Sequence, residues 1–224
     1  MDIKKNKTNY KTQIIDNFNI SHDMLSKVEI LGDCQVGKSS ISKQLSKNSF
    51  SSEYTPTSGY KIYPYVIKIE DKYIKFQIWD MCGKETYRTP LFNLYRNSNL
   101  GILVYSITDC NSFKNLDNWI IEMKKSSPST KIILLGNKCD EEEKRQVTYN
   151  EGKEICQKYN LEFFMEISAK KGFSSPNFLE IASINLYEEF LLLGDKTDST
   201  CFNMSESVRL SDEEDIKKSI RCCF

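Results

Sequence analysis

The sequence predicts an α/β fold: a mostly parallel six-stranded sheet with helices on both faces and one antiparallel edge strand. Short apolar runs alternate along the chain with segments of helical spacing, the pattern of a sheet built from strand–helix–strand units. Two of the strand-like segments, Tyr60–Glu70 and Tyr73–Asp80, are joined by Asp71-Lys72, which resembles a hairpin turn. A hydrophobic fraction of 39% is sufficient for a packed core of this kind.

Six segments are predicted to be strands. Five of them are apolar runs, namely Val28–Leu31, Ile74–Trp79, Leu100–Ile107, Lys131–Leu135 and Phe163–Ile167. The sixth, Tyr60–Glu70, contains Pro64, which cannot donate a hydrogen bond to a neighbouring strand. We therefore place this strand at an edge of the sheet, where its free side is available to a partner.

Two helices are predicted by apolar residues that recur on one helical face. These residues are Phe113, Leu116, Ile120 and Met123 in the first helix and Leu179, Ala182, Leu186, Phe190 and Leu193 in the second. The second helix has a start signal, with Ser175 at the N-cap and Pro176 at the first helical position.

Composition divides the 224 residues into three parts. Residues 1–24 are polar, rich in Lys and Asn and without periodicity, so we predict a flexible N-terminal extension. Residues 25–193 are predicted to form one folded domain. Residues 194–224 are rich in Ser, Asp and Lys and poor in apolar side chains, which predicts a disordered tail.

Bulk composition argues against several classes of protein. Lys plus Arg equals Asp plus Glu at 31 each, and no basic patch follows the N-terminal lysines, so no nucleic-acid partner is predicted. No apolar run approaches the ~18–20 residues of a membrane-spanning helix, and the N-terminus lacks a secretory or myristoylation signal. The eight cysteines form no Cys-x-x-Cys pair, so we expect free thiols in a reducing cytosol.

A phosphate-binding loop is predicted after the first of the apolar strands. The motif G-x-x-x-x-G-K-[ST] is matched by Gly32, Asp33, Cys34, Gln35, Val36, Gly37, Lys38 and Ser39, and Ser40 follows in the first turn of the next helix. Backbone N–H groups of such a loop and helix N-terminus attract phosphates. Lys38 adds a full positive charge for the β- and γ-phosphates, and the Ser39 hydroxyl is a ligand for Mg²⁺. The motif alone predicts only a nucleoside triphosphate.

Two further loops predict that the base is guanine. Asn137, Lys138 and Asp140 directly follow a predicted strand. A carboxylate accepts hydrogen bonds from both N1–H and the exocyclic amine of guanine, whereas adenine has no such donor pair. Asn137 is suited to the opposite edge of the base and the Lys138 stem to its face. Ser168, Ala169 and Lys170 follow the last strand and are placed to offer a backbone N–H to the guanine carbonyl oxygen.

From Leu25 to Leu193 the chain resembles the Ras-like small GTPases and, within them, the Rab family. The resemblance implies the small G domain of the P-loop NTPases. The strings that carry the Rab resemblance are Lys75–Asp80, Tyr87–Thr89, Leu94–Asn97, Leu103–Thr108 and Ser112-Phe113 followed by Trp119. The implied role is a guanine-nucleotide switch in intracellular vesicle trafficking, which binds GTP or GDP with Mg²⁺ and hydrolyses GTP.

The family resemblance also assigns roles to two switch segments. In Phe50–Thr57, Phe50 would pack against the base, Tyr54 would close over the γ-phosphate and Thr57 would complete the magnesium shell. In the D-x-x-G element, Asp80 would hold magnesium through water and the Gly83 N–H would contact the γ-phosphate. These γ-phosphate contacts are the order–disorder switch of the class.

Cys222-Cys223-Phe224 resembles the twin-cysteine endings on which Rab proteins carry two geranylgeranyl groups. It is not a C-a-a-X box, because Arg221 occupies the position that the cysteine would need. Two lipid chains give stable yet reversible membrane anchoring. The resemblance therefore implies the prenylation machinery as a partner and the cytoplasmic face of an intracellular membrane as the location, with a cytosolic fraction. Two ordinary surface thiols are the alternative interpretation.

Two residues depart from the family pattern where hydrolysis takes place. Lys84 replaces the Gln that follows D-x-x-G, and an ammonium cannot accept a hydrogen bond from the attacking water as an amide can. Gln35 lies where the family has a small residue, near the entry of an activating arginine. Because positioning is most of catalysis in phosphoryl transfer, we predict slow GTP hydrolysis. The alternative is a GTP-locked scaffold that recruits partners without hydrolysis.

The switch segments and the edge strand are the predicted contacts for effectors and an exchange factor. Whether an activating protein acts, and at which membrane, is left open by the sequence. A P-loop kinase or ATPase is a third class, which Asn137 and Asp140 disfavour.

Overall fold

A seven-stranded sheet forms the centre of the structure, a computed structural model that describes residues 10–83, 98–173 and 177–194. The strands are β1 Thr12–Ile15, β2 Met24–Leu31, β3 Tyr60–Ile69, β4 Lys72–Met81, β5 Leu100–Ser106, β6 Lys131–Asn137 and β7 Phe164–Ile167. Their order across the sheet is β1-β3-β4-β2-β5-β6-β7. Strand β3 runs antiparallel to β1 and β4, and the other pairs are parallel. The predicted fold class is confirmed, with one strand more than expected.

Helices cover both faces of the sheet. They are α1 Lys38–Lys47, α2 Cys110–Lys114, α3 Leu116–Ser126, α4 Tyr149–Lys158 and α5 Phe178–Gly194, with a short 3-10 turn at Glu142–Lys144. Helices α1 and α5 pack on one face, and α3 and α4 pack on the other, so that two apolar layers enclose the sheet. Within the described ranges, no helix is both long and apolar enough to cross a membrane.

The prediction of a flexible extension over residues 1–24 is wrong for residues 12–15, which form a strand. Residues Thr12–Ile15 form β1, which pairs with Ile69 through Val66 of β3. The ring of Tyr10 packs edge-on against Tyr187 of α5, with 5.5 Å between centroids. The segment has too few apolar residues to show a strand pattern, and its order comes from the hydrogen bonds that a sheet edge offers.

Pro64 lies at a free edge, as predicted, although β3 is no longer the outermost strand. Strand β1 pairs only with Val66–Ile69 of β3, so it covers the half of β3 beside the hairpin. Among the residues that the structure describes, no strand pairs with Tyr60–Tyr65 on the side opposite β4. The open half of the edge is the half that leads to the first switch segment.

The start of α5 differs from the prediction. Asn177 caps the helix: its Oδ1 accepts from the backbone N–H groups of Leu179 (2.9 Å) and Glu180 (3.0 Å). Glu180 in turn accepts from the Asn177 N–H at 2.8 Å, which completes a reciprocal capping box. The predicted cap, Ser175 and Pro176, lies outside the described residues. The spacing Asn-x-x-Glu was the stronger signal.

A buried carboxylate, Glu29 of β2, lies in the apolar layer on the side of α3. It is fully buried, and the Lys27 ammonium lies 3.1 Å from it and 4.8 Å from the centre of the Trp79 ring. Burial raises the pKa of Glu29 above its ordinary value of 4.5, and the charge of Lys27 only partly opposes this. The folded state therefore holds this proton more tightly than the unfolded chain does.

We expect the double variant Lys27→Met/Glu29→Met, which replaces the whole pair, to raise the free energy of unfolding at pH 7 by ~1–2 kcal/mol, because a buried charged pair is often less stable than apolar packing. The wild-type carboxyl is destabilising above its folded pKa, and this penalty disappears as pH falls through that pKa towards 4.5. Urea unfolding at several pH values should show the gain shrinking in acid. Glu143→Met at an exposed position is the control. A variant less stable than wild type at pH 7 would contradict this account.

Candidate nucleotide-binding site

A cavity of about 300 Å³ opens at the carboxyl ends of the parallel strands, where ligands bind in open α/β sheets. Five stretches of chain line it: the loop and helix start after β2, the segment before β3, the end of β4, the loop after β6 and the loop after β7. All the loops in which binding residues were predicted therefore meet at one site.

The structure places most of the predicted site residues in the wall of this cavity. Those that line it are Cys34, Gln35, Gly37, Lys38, Ser39, Ser40, Phe50, Tyr54, Thr57, Gly83, Asn137, Lys138, Asp140, Ala169 and Lys170. Five predicted residues do not line it, namely Gly32, Asp33, Val36, Asp80 and Ser168, and each of these is in contact with residues that do. Lys84, Cys222 and Cys223 lie outside the described residues.

Several lining residues were not predicted as site residues. Lys43 lies one turn after Ser39 on α1, and this i, i+4 spacing could have identified it. Met81 and Cys82 occupy the variable positions of D-x-x-G, and Glu141 follows Asp140. The remainder of the first switch segment, Ser51, Ser52, Glu53, Thr55 and Pro56, also borders the cavity.

Left-handed backbone shapes the phosphate loop. Gly32, Gln35 and Gly37 have φ values of 138°, 62° and 102°. A non-glycine side chain in the left-handed region costs ~1–2 kcal/mol, so Gln35 is held there against its preference. The loop ends where α1 begins at Lys38, and the N-terminus of this helix borders the cavity.

Lys38 brings a nearly buried ammonium to the cavity, with 6% of the residue exposed. Its Nζ donates to the carbonyl oxygens of Gly32 at 2.8 Å and Asp33 at 2.5 Å. Burial lowers the pKa of Lys38, while the nearby Asp80 carboxylate favours the charged form. The two carbonyls hold the ammonium in place beneath the phosphate loop.

Three oxygen-bearing side chains converge beside Lys38. The Ser39 hydroxyl donates to Asp80 Oδ2 at 2.5 Å and lies 2.9 Å from the Thr57 hydroxyl. Asp80 is fully buried, and among the described residues its other oxygen, Oδ1, has no hydrogen-bond partner. Burial raises the pKa of Asp80, and the hydrogen bond from Ser39 opposes the rise. Hydroxyl and carboxylate oxygens with a buried unpaired acceptor fit Mg²⁺.

Asn137 connects the loops after β6 and β7 to the phosphate loop. Its Nδ2 donates to the Val36 carbonyl at 2.8 Å, and its Oδ1 accepts from the Ala169 N–H at 3.1 Å. A Cβ at Gly37 would collide with the same amide, so glycine is required there. Sequence reasoning predicted Asn137 for an edge of the base and did not predict this connecting role.

Ser168 orients the carboxylate of Asp140. Its hydroxyl donates to Asp140 Oδ1 at 2.7 Å and accepts from the Lys171 backbone N–H at 3.0 Å. Asp140 lines the cavity and Ser168 does not, so Ser168 acts on the cavity through Asp140. The arrangement presents a fixed acceptor in the cavity wall.

Gly83 closes the cavity at the phosphate end. A Cβ at this position would lie 2.6 Å from the carbonyl carbon and oxygen of Asp33 and would also collide with the Lys38 ammonium. Only glycine therefore allows the D-x-x-G segment to pack against the phosphate loop. The next residue, Lys84, is not described.

The sheet order, the phosphate loop and the converging oxygen ligands define a P-loop nucleotide-binding protein. The model of the Ras family matches residues 27–187 of the chain. Ras-related protein Rab-13 from Rattus norvegicus is 35% identical over 201 residues, which is 88% of this chain and 97% of that protein. Ras-related protein SEC4 from Candida albicans is 36% identical over 73% of this chain and 79% of its own length.

The chain belongs to the Ras family, as a small GTPase of the Rab type. Ras-related protein Rab-11B from Dictyostelium discoideum is also similar, with 36% identity over 75% of this chain and 74% of its own length. The family predicted from the sequence motifs is confirmed.

Proposed function

We propose that this chain is a membrane-anchored switch of vesicle trafficking that binds GTP or GDP with Mg²⁺ and hydrolyses GTP slowly. One observation carries the proposal: a single cavity is lined both by the phosphate loop with Lys38 and by the Asp140 carboxylate, which Ser168 holds in place. A cation for the phosphates and a fixed acceptor for the base are the contacts that a guanine nucleotide needs. The Rab-type relatives support the trafficking role.

The residues proposed to bind the phosphates have separate roles. The N-terminus of α1 and the Lys38 ammonium attract the β- and γ-phosphates. Ser39, Thr57 and Asp80 would hold Mg²⁺, which when bound neutralises charge on the phosphate oxygens. Lys38 and Asp80 are buried, and this burial would strengthen their charge interactions with the phosphates and the metal.

The base end provides selectivity. Asp140, held by Ser168, would accept from the two adjacent donors of guanine, while Phe50 and the Lys138 stem cover the base. An adenine in this position has no donor pair for Asp140, so it forgoes the two hydrogen bonds that guanine makes, and this difference is the basis of selection.

Two of the residues proposed to contact the γ-phosphate belong to segments whose conformation would differ between the GTP-bound and the GDP-bound protein. Thr57 and Gly83 come from the first and second switch segments, and both would lose a contact when the γ-phosphate leaves. Tyr54 is 57% exposed at the mouth of the cavity, a position from which its ring can close over the nucleotide.

Slow hydrolysis is part of the proposal because of two side chains. Lys84 would bring a cation in place of the amide that orients the attacking water. Gln35 lines the cavity with an exposed side chain at the mouth of the phosphate loop. A GTP-locked scaffold without hydrolysis is the second candidate function, and the same two residues favour it.

Effectors and an exchange factor would contact the switch segments and the open half of the β3 edge. Ile62 on this half is 45% exposed, an apolar side chain available to a partner. Trp79, by contrast, is only 7% exposed and stacks on Tyr60 at 5.0 Å between ring centroids. Trp79 would support a partner surface from beneath, with Tyr60 between it and the strand edge.

Membrane anchoring is proposed to need both Cys222 and Cys223. We expect a tagged full-length protein to associate with an intracellular membrane, and the double variant Cys222→Ser/Cys223→Ser to become cytosolic, because a single or absent lipid chain binds membranes only weakly. Cell fractionation and microscopy measure the change, with Cys156→Ser in the folded domain as the matched control. Unchanged membrane association of the double variant would remove the anchor from the proposal.

A further inference from the structure

The carboxylate of Asp33 faces away from the nucleotide cavity. Asp33 belongs to the phosphate loop, yet its side chain does not line the cavity that the loop encloses. Its Oδ1 accepts from the indole N–H of Trp119 at 2.8 Å, and its Oδ2 accepts from the Asn115 amide at 2.6 Å. Both oxygens of this carboxylate therefore bond to the helices on the far side of the loop.

The partners of Asp33 are rigidly placed. Trp119 is 1% exposed in the apolar layer between α3 and the sheet, and Asn115 is the junction residue where α2 ends and α3 begins. Charge-assisted hydrogen bonds are about twice as strong as neutral ones, and here two of them act on one side chain. The phosphate loop is thus attached to a helix pair that itself has no residue in the cavity wall.

The backbone of Asp33 also sets the position of two groups in the cavity. Its carbonyl accepts from the Lys38 ammonium, and the same carbonyl lies against Gly83 so closely that a Cβ there would overlap it. A shift of Asp33 would therefore move the Lys38 ammonium and change the gap between the phosphate loop and Gly83. The Gly83 N–H is proposed to contact the γ-phosphate and neither of the other two phosphates.

We propose that Asp33 is a positioning residue, which through Trp119 and Asn115 holds the phosphate loop at the distance from Gly83 that GTP requires. This inference rests on the proposed nucleotide-binding function and deepens it. The Asp33 side chain does not line the nucleotide cavity. Its carbonyl positions Lys38, proposed for the β- and γ-phosphates, and Gly83, proposed for the γ-phosphate alone. Loss of Asp33 should therefore weaken the binding of GTP more than that of GDP, which a general loss of stability would not.

The test is the rate at which a fluorescent GDP and a fluorescent non-hydrolysable GTP analogue leave the full-length protein in Mg²⁺. For Asp33→Ala we expect release of the GTP analogue to accelerate about tenfold and that of GDP no more than about threefold. Trp119→Phe removes the indole N–H donor together with part of the buried ring, and it should shift the two rates in the same unequal way even where its melting temperature falls. The double variant should be no faster than Asp33→Ala, because both changes remove the same contact.

Two controls separate positioning from stability. Asp33→Asn retains an acceptor for Trp119 and a donor for a flipped Asn115 amide, so its rates should stay within about threefold of wild type. Thr148→Ala removes the capping hydrogen bond of α4 far from the site, lowering the melting temperature without changing the ratio of the two rates. Equal acceleration of both nucleotides by Asp33→Ala, or no acceleration, would overturn the inference. Failure of the wild type to bind guanine nucleotide would instead refute the proposed function.

Discussion

Asp140→Ala should weaken GTP binding about 100- to 1000-fold while leaving ATP binding almost unchanged. Asp140 is the one charged acceptor proposed for the base, and the loss of two charge-assisted hydrogen bonds corresponds to roughly 3–4 kcal/mol. ATP gains nothing from this carboxylate, so its affinity has little to lose. Competition against a fluorescent GDP on nucleotide-free protein measures both affinities.

Two neighbours provide matched controls for Asp140. Ser168→Ala removes only the hydroxyl that orients the carboxylate, so we expect a loss of about tenfold. Glu141→Ala removes the adjacent carboxylate, which also borders the cavity but pairs with Lys144 at 2.9 Å, and should change GTP affinity less than twofold. If Asp140→Ala kept the wild-type preference for GTP, the assignment of this residue to the base would be wrong.

Lys84→Gln should accelerate GTP hydrolysis about 10- to 100-fold in a single turnover. The amide restores an acceptor for the attacking water together with a donor, and positioning of this kind supplies two orders of magnitude in comparable general-base steps. Binding should change little, because Lys38 and the helix N-terminus remain in place. Phosphate release from GTP-loaded protein after addition of Mg²⁺ measures the rate.

Lys43→Gln is the control for Lys84→Gln. It replaces another ammonium that lines the cavity by the same amide, without placing that amide after D-x-x-G. Its hydrolysis rate should remain that of the wild type. Equal rates for wild type and Lys84→Gln would refute slow hydrolysis caused by Lys84, and an equal gain from Lys43→Gln would show that only the net charge matters.

Much of the fold could be predicted from the sequence because the central strands are buried on both faces. Strand β5 is buried at every position, and apart from Ser106 at its end it appears in the sequence as a run without polar side chains other than the Tyr105 hydroxyl. Strand β1 could not be predicted, since Thr12–Ile15 has only two apolar residues and owes its structure to a distant edge of β3. The break at Asn115 was hidden because apolar spacing continues across it.

The sequence motifs indicated which residues line the candidate site, but not the hydrogen bonds that connect them. Lys38, Asp140 and Gly83 come from three motifs and line one cavity, because each motif follows a strand whose end lies at the same edge of the sheet. Asp33 bonds to Asn115 and Trp119, which are 82 and 86 positions away. Asn137 bonds to Val36 and Ala169, which are 101 and 32 positions away. No local pattern encodes such distant pairs.

The most direct test of guanine-nucleotide binding is calorimetric titration of nucleotide-free protein with GTP, GDP and ATP, in Mg²⁺ and again with the metal chelated. We predict one site per chain, GTP and GDP affinities at least about 100-fold above that of ATP, and a weaker GTP affinity without Mg²⁺. Equal affinities for ATP and GTP, or no binding of either, would contradict the account.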